Sequence, residues 1–378
     1  MRPIQMVDTQ TQYQRIKQDI DKAVLEVMES SAFINGKPVH DFAANLADYI
    51  GVKHAIPCAN GTDALQIAMM ALELQPGDEV ITPSFTYIAT TEVIALLKLT
   101  PVFVEVDAKS FCMDPEKLET AITARTKAIV PVHLYGQAAN MEKIMEIARQ
   151  HKLYVIEDNA QAIGCNYVFS DGSKTKTGSI AQIGTTSFYP SKNLGAFGDG
   201  GAIFTNDDEL ARKLKMITNH GQSKQYYHDI VGCNSRLDSM QAAILDIKLK
   251  YLDEYIKARR KAADHYDSKF LDHPKLRIPH RAEFCEHVFH QYTLIIEGDA
   301  AYRDGLKQYL ADNKIPAMIY YPVPGHKQGM FNSFNSSHVD LPVTNWLTER
   351  VISLPMHTEL DKEQIDFIAS KVLDYLNK

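Results

Sequence analysis

The feature that most constrains this chain is an alternation of short apolar runs with amphipathic segments between His54 and Thr205. Runs near His54–Cys58, Glu79–Thr82, Pro101–Val106, Lys127–His133, Leu153–Glu157, Thr185–Phe188 and Ala202–Thr205 read as seven strands. Helical periodicity fills most of the gaps, for example at Ala64–Leu74, Thr90–Leu99, Asn140–Gln150 and Glu209–Thr218. Ala128-Ile129-Val130-Pro131-Val132 and Val102-Phe103-Val104 are apolar at every position. Such strands have no polar face to turn toward water. They predict a mainly parallel α/β sheet with helices on both faces.

The flanking segments complete the outline. Helices are expected at Ile16–Glu29 and Val39–Ile50. After about residue 238 the pattern changes. Met240, Ile244, Ile247, Tyr251 and Tyr255 predict one long amphipathic helix, and its basic tail Lys257-Ala258-Arg259-Arg260-Lys261 reads as a solvated face. Strands at His290–Ile296 and Pro316–Tyr321, with helices at Ala301–Asn313 and Asp361–Leu376, suggest a smaller α+β unit. The expected division is a large domain, residues 1–250, and a small one, residues 251–378.

Composition excludes several classes. Lys plus Arg number 40 against 47 Asp plus Glu, a net charge of −7, so no general attraction to nucleic acid or anionic lipid is expected. The five cysteines form no CxxC and no zinc-like Cys-His cluster, so no metal site is read. They read as reduced, mostly buried thiols, which favours the cytoplasm. The N-terminus lacks the apolar stretch of a signal peptide, and no run is long enough to span a bilayer.

Four strand-to-helix junctions carry residues suited to chemistry. Lys192 follows the apolar Thr185–Phe188 run and Pro190, and opens the glycine-rich loop Gly195-Ala196-Phe197-Gly198-Asp199-Gly200-Gly201. A desolvated lysine has a lowered pKa, and its neutral amine attacks aldehydes. The glycines follow the lysine and form neither a P-loop nor a dinucleotide fingerprint. Asp158 ends the strand run in Val155-Ile156-Glu157-Asp158; it could cap a helix or hold a proton on a cationic heterocycle. Gly61-Thr62-Asp63 opens a helix whose free N–H groups and dipole suit a phosphate, although Asn60-Gly61-Thr62-Asp63 is also an ordinary turn and cap. Tyr87, beyond the Glu79–Thr82 strand, could stack on a planar cofactor or belong to the core.

These junctions, together with Val132-His133-Leu134-Tyr135-Gly136, Asn219-His220-Gly221, Asn234-Ser235-Arg236-Leu237 and Tyr321-Pro322-Val323-Pro324, resemble the DegT/DnrJ/EryC1/StrS family of sugar aminotransferases. The resemblance runs in order from about residue 5 to residue 357. It implies the fold-type I architecture of pyridoxal phosphate enzymes, with a mixed seven-stranded sheet. It implies that Lys192 is the Schiff-base lysine, that Asp158 faces the pyridine nitrogen, that Gln161 lies near the ring oxygen and that Tyr87 stacks on the ring. Gly61, Thr62, Asp63 and Ser187 would cradle the phosphate. Asn234 would reach the phosphate of a neighbouring subunit, implying a homodimer with shared sites. Arg236, Tyr320 and Tyr321 would meet substrate. The implied reaction moves an amino group from L-glutamate to a nucleotide-linked keto-sugar for a surface polysaccharide, such as a lipopolysaccharide O-antigen, or another glycan. Two other readings within the family are a sugar dehydratase, which usually has histidine in place of Lys192, and a non-catalytic cofactor-binding relative. Gly325-His326 departs from the Leu-His often found there, which leaves His326 without an assigned role.

Overall fold

A computed structural model describes residues 1–334 and 338–378. Its main sheet has seven strands: β1 (His54–Cys58), β2 (Glu79–Pro83), β3 (Thr100–Val104), β4 (Thr126–Ile129), β5 (Tyr154–Asp158), β6 (Ile183–Ser187) and β7 (Gly201–Thr205). Their order across the sheet is β1-β7-β6-β5-β4-β2-β3. β7 is antiparallel to both of its neighbours, and the other pairings are parallel. The sheet is therefore mixed, as the family resemblance implies. The short run at Lys127–His133 yields only the four residues of β4, because Pro131 has no N–H to continue the ladder.

The doubly apolar runs have the predicted consequence. Val80, Ala128, Ile156 and Ile203 point to one face, where helices α1 (Gly61–Ala71), α2 (Ala89–Leu96) and Asp208–Thr218 cover them. Ile81, Ile129, Val155 and Ala202 point to the other, against Lys37–Ile50, Met141–His151 and α3 (Ser239–Leu249). Neighbouring residues thus feed opposite cores, as the two-residue period of a strand requires.

A second, antiparallel sheet consists of β8 (Leu276–Arg277), β9 (Tyr292–Ile296) and β10 (Val351–Leu354). It shares an apolar cluster with α4 (Leu252–Phe270), Ala300–Asp312 and Lys362–Leu376. Cys285–Glu286 pairs with Asn166–Val168, joining the C-terminal part to an excursion of the first part. Among the described residues, no helix is long and apolar enough to cross a membrane. All five cysteines are free, and Cys233 alone is not buried.

Three expectations fail. Pro316–Tyr321 is not a strand: only Met318 pairs, in an isolated bridge to Ser353. Prolines at 316 and 322 cannot donate to a ladder, and Tyr320 and Tyr321 turn toward the site described below. The long helix from Met240 is broken at Lys250–Tyr251. There the N–H groups bond back to Ile247 and Lys248, a tighter turn than the α-helical one. The expected stripe is only partly buried: Ile244 and Tyr255 are buried, Met240, Ile247 and Tyr251 are half-buried, and the main core side of α3 is formed by Ala242, Leu245 and Leu249. The basic tail is not all solvated. Arg259 is 2% exposed and donates to the carbonyls of Phe289, His290 and Met356, while Arg260 donates to those of Glu286 and His287. Helices Thr9–Arg15 and Pro342–Arg350 have no counterpart in the sequence reading.

Candidate active site

The C-terminal ends of β1, β2, β5 and β6 lie on one edge of the sheet, where sites of α/β folds form. Asp158 ends β5, paired in register with Thr185 of β6. Its neighbour Glu157 points away, and its carboxylate accepts the N–H groups of Gly178, Ile180 and Ala181 and meets His133 Nε2 at 2.9 Å. Ala139 N–H donates to His133 Nδ1, so the ring proton belongs on Nε2, facing Glu157. Glu157 is thus consumed by structure. Asp158 accepts the Thr90 hydroxyl at 2.7 Å on one oxygen and the Ala160 N–H at 3.1 Å on the other. No helix follows it for the side chain to cap. Each carboxylate oxygen has a second lone pair, so Asp158 keeps acceptor capacity for a further donor.

Lys192 lies in the loop after β6. It is half-buried, and desolvation of its ammonium lowers its pKa to about 8, against an opposing pull from the Asp158 carboxylate. The loop is closed tightly. Lys192 N–H donates to Tyr189 O, Ala196 N–H to Phe188 O, and Phe188 N–H to Gly200 O. A Cβ on Gly195 would come within 2.4 Å of Pro190 O. The loop therefore has little freedom.

The start of α1 lies beside β6. Asn60 caps it, its side chain accepting from Asp63 N–H at 2.8 Å. The Gly61 and Thr62 N–H groups have no acceptor within the helix. A Cβ on Gly61 would come within 2.7 Å of Ser187 Cβ, so the helix start and the serine are in direct contact. Ser187 Oγ accepts from Tyr189 N–H, which leaves its own O–H to donate.

A third group covers these residues. Gln161 accepts from Tyr135 N–H and donates through Nε2 to Tyr321 OH at 3.1 Å. The Tyr321 and Tyr87 rings are 6.2 Å apart, and Tyr87 is 56% exposed, so the core reading of this aromatic fails. The hydroxyl of Tyr135 donates to Tyr320 O. His326 has a structural place: its ring Nδ1 is 2.7 Å from Ser84 Oγ, and Gly325 N–H donates to Ser84 O. Gly325 lies so close that a Cβ would meet Phe103 at 3.0 Å, which accounts for the missing leucine. These bonds fasten the Tyr320–Tyr321 segment to the end of β2.

Asn234 and Arg236 stand apart. Asn234 is exposed on an isolated bridge to Asn219, and Arg236 Nη1 approaches Asn219 Oδ1 at 3.4 Å. Neither bonds to Lys192, Asp158 or Gln161. Thr90 and Tyr135, which hold Asp158 and Gln161, escaped the sequence reading although both lie in segments that carry the resemblance. Buried His290, close enough for Lys192 to lower its pKa further, was also missed.

This donor set fits pyridoxal phosphate. A lysine of lowered pKa lies within electrostatic reach of a carboxylate with spare acceptor capacity. A helix start and a serine hydroxyl, with no side chain between them, offer donors to a phosphate. The model of the DegT/DnrJ/EryC1/StrS aminotransferase family matches residues 14–373. The chain is 45% identical to the UDP-N-acetyl-3-dehydro-alpha-D-glucosamine 3-aminotransferase of Acidithiobacillus ferrooxidans, over 98% of this chain and 97% of that one. It is 43% identical to the UDP-2-acetamido-2-deoxy-3-oxo-D-glucuronate aminotransferase of Pseudomonas aeruginosa, over 97% and 99%. Its fold is similar to that of NtdA from Bacillus subtilis with bound cofactor PMP, with a TM-score of 0.88, 32% identity, and coverage of 96% of this chain and 82% of that one. The chain belongs to the DegT/DnrJ/EryC1/StrS aminotransferase family.

Proposed function

We propose that this transaminase moves an amino group from L-glutamate to a nucleotide-linked keto-sugar, with Lys192 as nucleophile and proton carrier. The observation that carries this reading is the half-buried Lys192 within electrostatic reach of Asp158 at adjacent strand ends. The cofactor is pyridoxal phosphate, which supplies an aldehyde to take up nitrogen and a ring to delocalise an electron pair. Lys192, neutral above pH about 8, would hold the cofactor through its aldehyde group and would move a proton at the reacting carbon. Asp158, oriented by Thr90 and the Ala160 N–H, holds a proton at the ring nitrogen. Gln161 would orient the ring oxygen, and Tyr87 would pack on the ring. Gly61, Thr62 and Ser187 would hold the phosphate, at the helix start whose Asp63 N–H is capped by Asn60.

Arg236, Tyr320 and Tyr321 are proposed to contact substrate. The two relatives act on UDP-linked sugars named as 3-dehydro and 3-oxo, which supports a UDP-linked 3-keto-sugar as the acceptor. The exposed position of Asn234 supports its reaching a second subunit's phosphate, in a homodimer with shared sites. Residues 1–250 would form the cofactor domain and 251–378 the smaller one. We place the enzyme in the cytoplasm, supplying amino sugars for a surface polysaccharide or glycan. The presence of Lys192 disfavours the dehydratase and non-catalytic readings.

The test is direct. The purified protein should be yellow, and borohydride should add the cofactor's mass to the peptide bearing Lys192. A panel of 3- and 4-keto-sugar nucleotides with glutamate should give 2-oxoglutarate and an amino sugar with one of them. A colourless protein with no added mass at Lys192 refutes the reading. For the dimer, mixing Asn234→Ala with Lys192→Ala subunits should restore activity at one composite site; no recovery refutes shared sites.

A further inference from the structure

A second lysine is buried beside the loop of the first. Lys248, on α3, is 2% exposed, and its ammonium donates to the carbonyl of Gly195, three residues beyond Lys192. Among the described residues it has no paired carboxylate. The Arg259 guanidinium acts on it as a repulsion, and the Phe197 ring centroid lies 5.2 Å away. An unpaired buried ammonium is costly, and a methionine of similar length would fill the same space without that cost. What the ammonium adds is a charge-assisted hydrogen bond to one carbonyl of the Lys192 loop. The same helix grips the loop again two residues on. Gln241 Oε1 accepts from Phe197 N–H at 2.8 Å, and the Gln241 amide packs where a side chain on Gly198 would be. The other end of the loop is already held by its bonds to Phe188 and Tyr189.

We propose that Lys248 is a positioning residue for Lys192: together with Gln241 it clamps the Gly195–Phe197 segment, and so fixes where the Lys192 amine can reach. This rests on the role given to Lys192 above. Displacing a reacting group by about 1 Å costs on the order of 10²-fold in rate, so a clamp at this distance is sufficient to matter.

The test uses the holoenzyme of wild type, Lys248→Met, Lys248→Arg and Gln241→Ala. Four quantities are read: the fraction of bound pyridoxal phosphate fixed to Lys192 by borohydride, the pH titration of its visible absorbance, kcat and KM for the sugar nucleotide, and the thermal midpoint. The Met variant should still bind pyridoxal phosphate. Its fixed fraction should fall about tenfold and kcat about 10²-fold, with a displaced absorbance titration and KM changed by less than about threefold. Arg, which also donates to a carbonyl, should recover most of the loss, and Gln241→Ala should move the same quantities less. A Met variant with a wild-type fixed fraction, titration and kcat overturns the proposal, even if its thermal midpoint falls, because the contact would then serve stability alone. If the Met variant does not fold, Gln241→Ala decides, and a wild-type fixed fraction and kcat there overturns the clamp. Absence of any fixed cofactor in wild type instead overturns the reading of Lys192, and the clamp with it.

Discussion

Lys192 and Lys248 are a natural pair to compare. Burial lowers the pKa of each to about 8. Their surroundings differ in every other respect. Lys192 is half-buried, opens on the sheet edge and feels the carboxylate of Asp158. Lys248 is sealed under Phe197, spends its ammonium on Gly195 O and feels the cation of Arg259. A lowered pKa therefore does not identify a reactive amine. Access and an unspent lone pair do, and only Lys192 has both.

The largest effect should come from removing the accessible lysine. Lys192→Ala should lower turnover by about 10⁴-fold and abolish borohydride fixation, with Lys248 taking up none of the lost chemistry. A fixed adduct on Lys248 in that variant would break the comparison. Asp158→Asn keeps the shape but cannot hold a ring proton by charge, and turnover should fall by about 10²–10³-fold while the protein still binds cofactor. In cofactor-stripped protein, a small aldehyde with cyanoborohydride should modify Lys192 in preference to Lys248. The neutral amine is the reactive form, so the rate should climb with pH and level off above about 8, rather than near the ordinary lysine value of 10.5. A plateau only above pH 10 refutes the lowered pKa. The smallest effect is expected at Thr90→Val. Loss of one hydroxyl from the Asp158 carboxylate should cost about tenfold in turnover with little change in thermal midpoint.

Most of the sheet is legible in the residues themselves. Val80 beside Ile81 and Ile156 beside Val155 announce strands covered on both faces, because no polar alternation offers a face to water. Asp158 was legible as an acid at a strand end, but its separation from Glu157 was not. Only the fold shows that Glu157 meets three backbone N–H groups on the far side. Lys248 and Arg259 were illegible for another reason. Long polar residues in an amphipathic helix read as solvated, and their burial depends on partners 30 to 97 positions away in sequence. Pro316–Tyr321 misled because tyrosines favour strands, whereas here Tyr321 is turned toward Gln161.

The single antiparallel strand β7 has a dynamic consequence. Because β7 runs back beside β6, the two ends of the Lys192 loop, Ser187 and Gly201, face each other on one rung of the ladder. A parallel partner would instead have required the connection to cross to the opposite edge of the sheet. The amides of Phe188, Lys192 and Ala196 are bonded within the loop and that of Phe197 to Gln241, so these amides should exchange slowly with solvent.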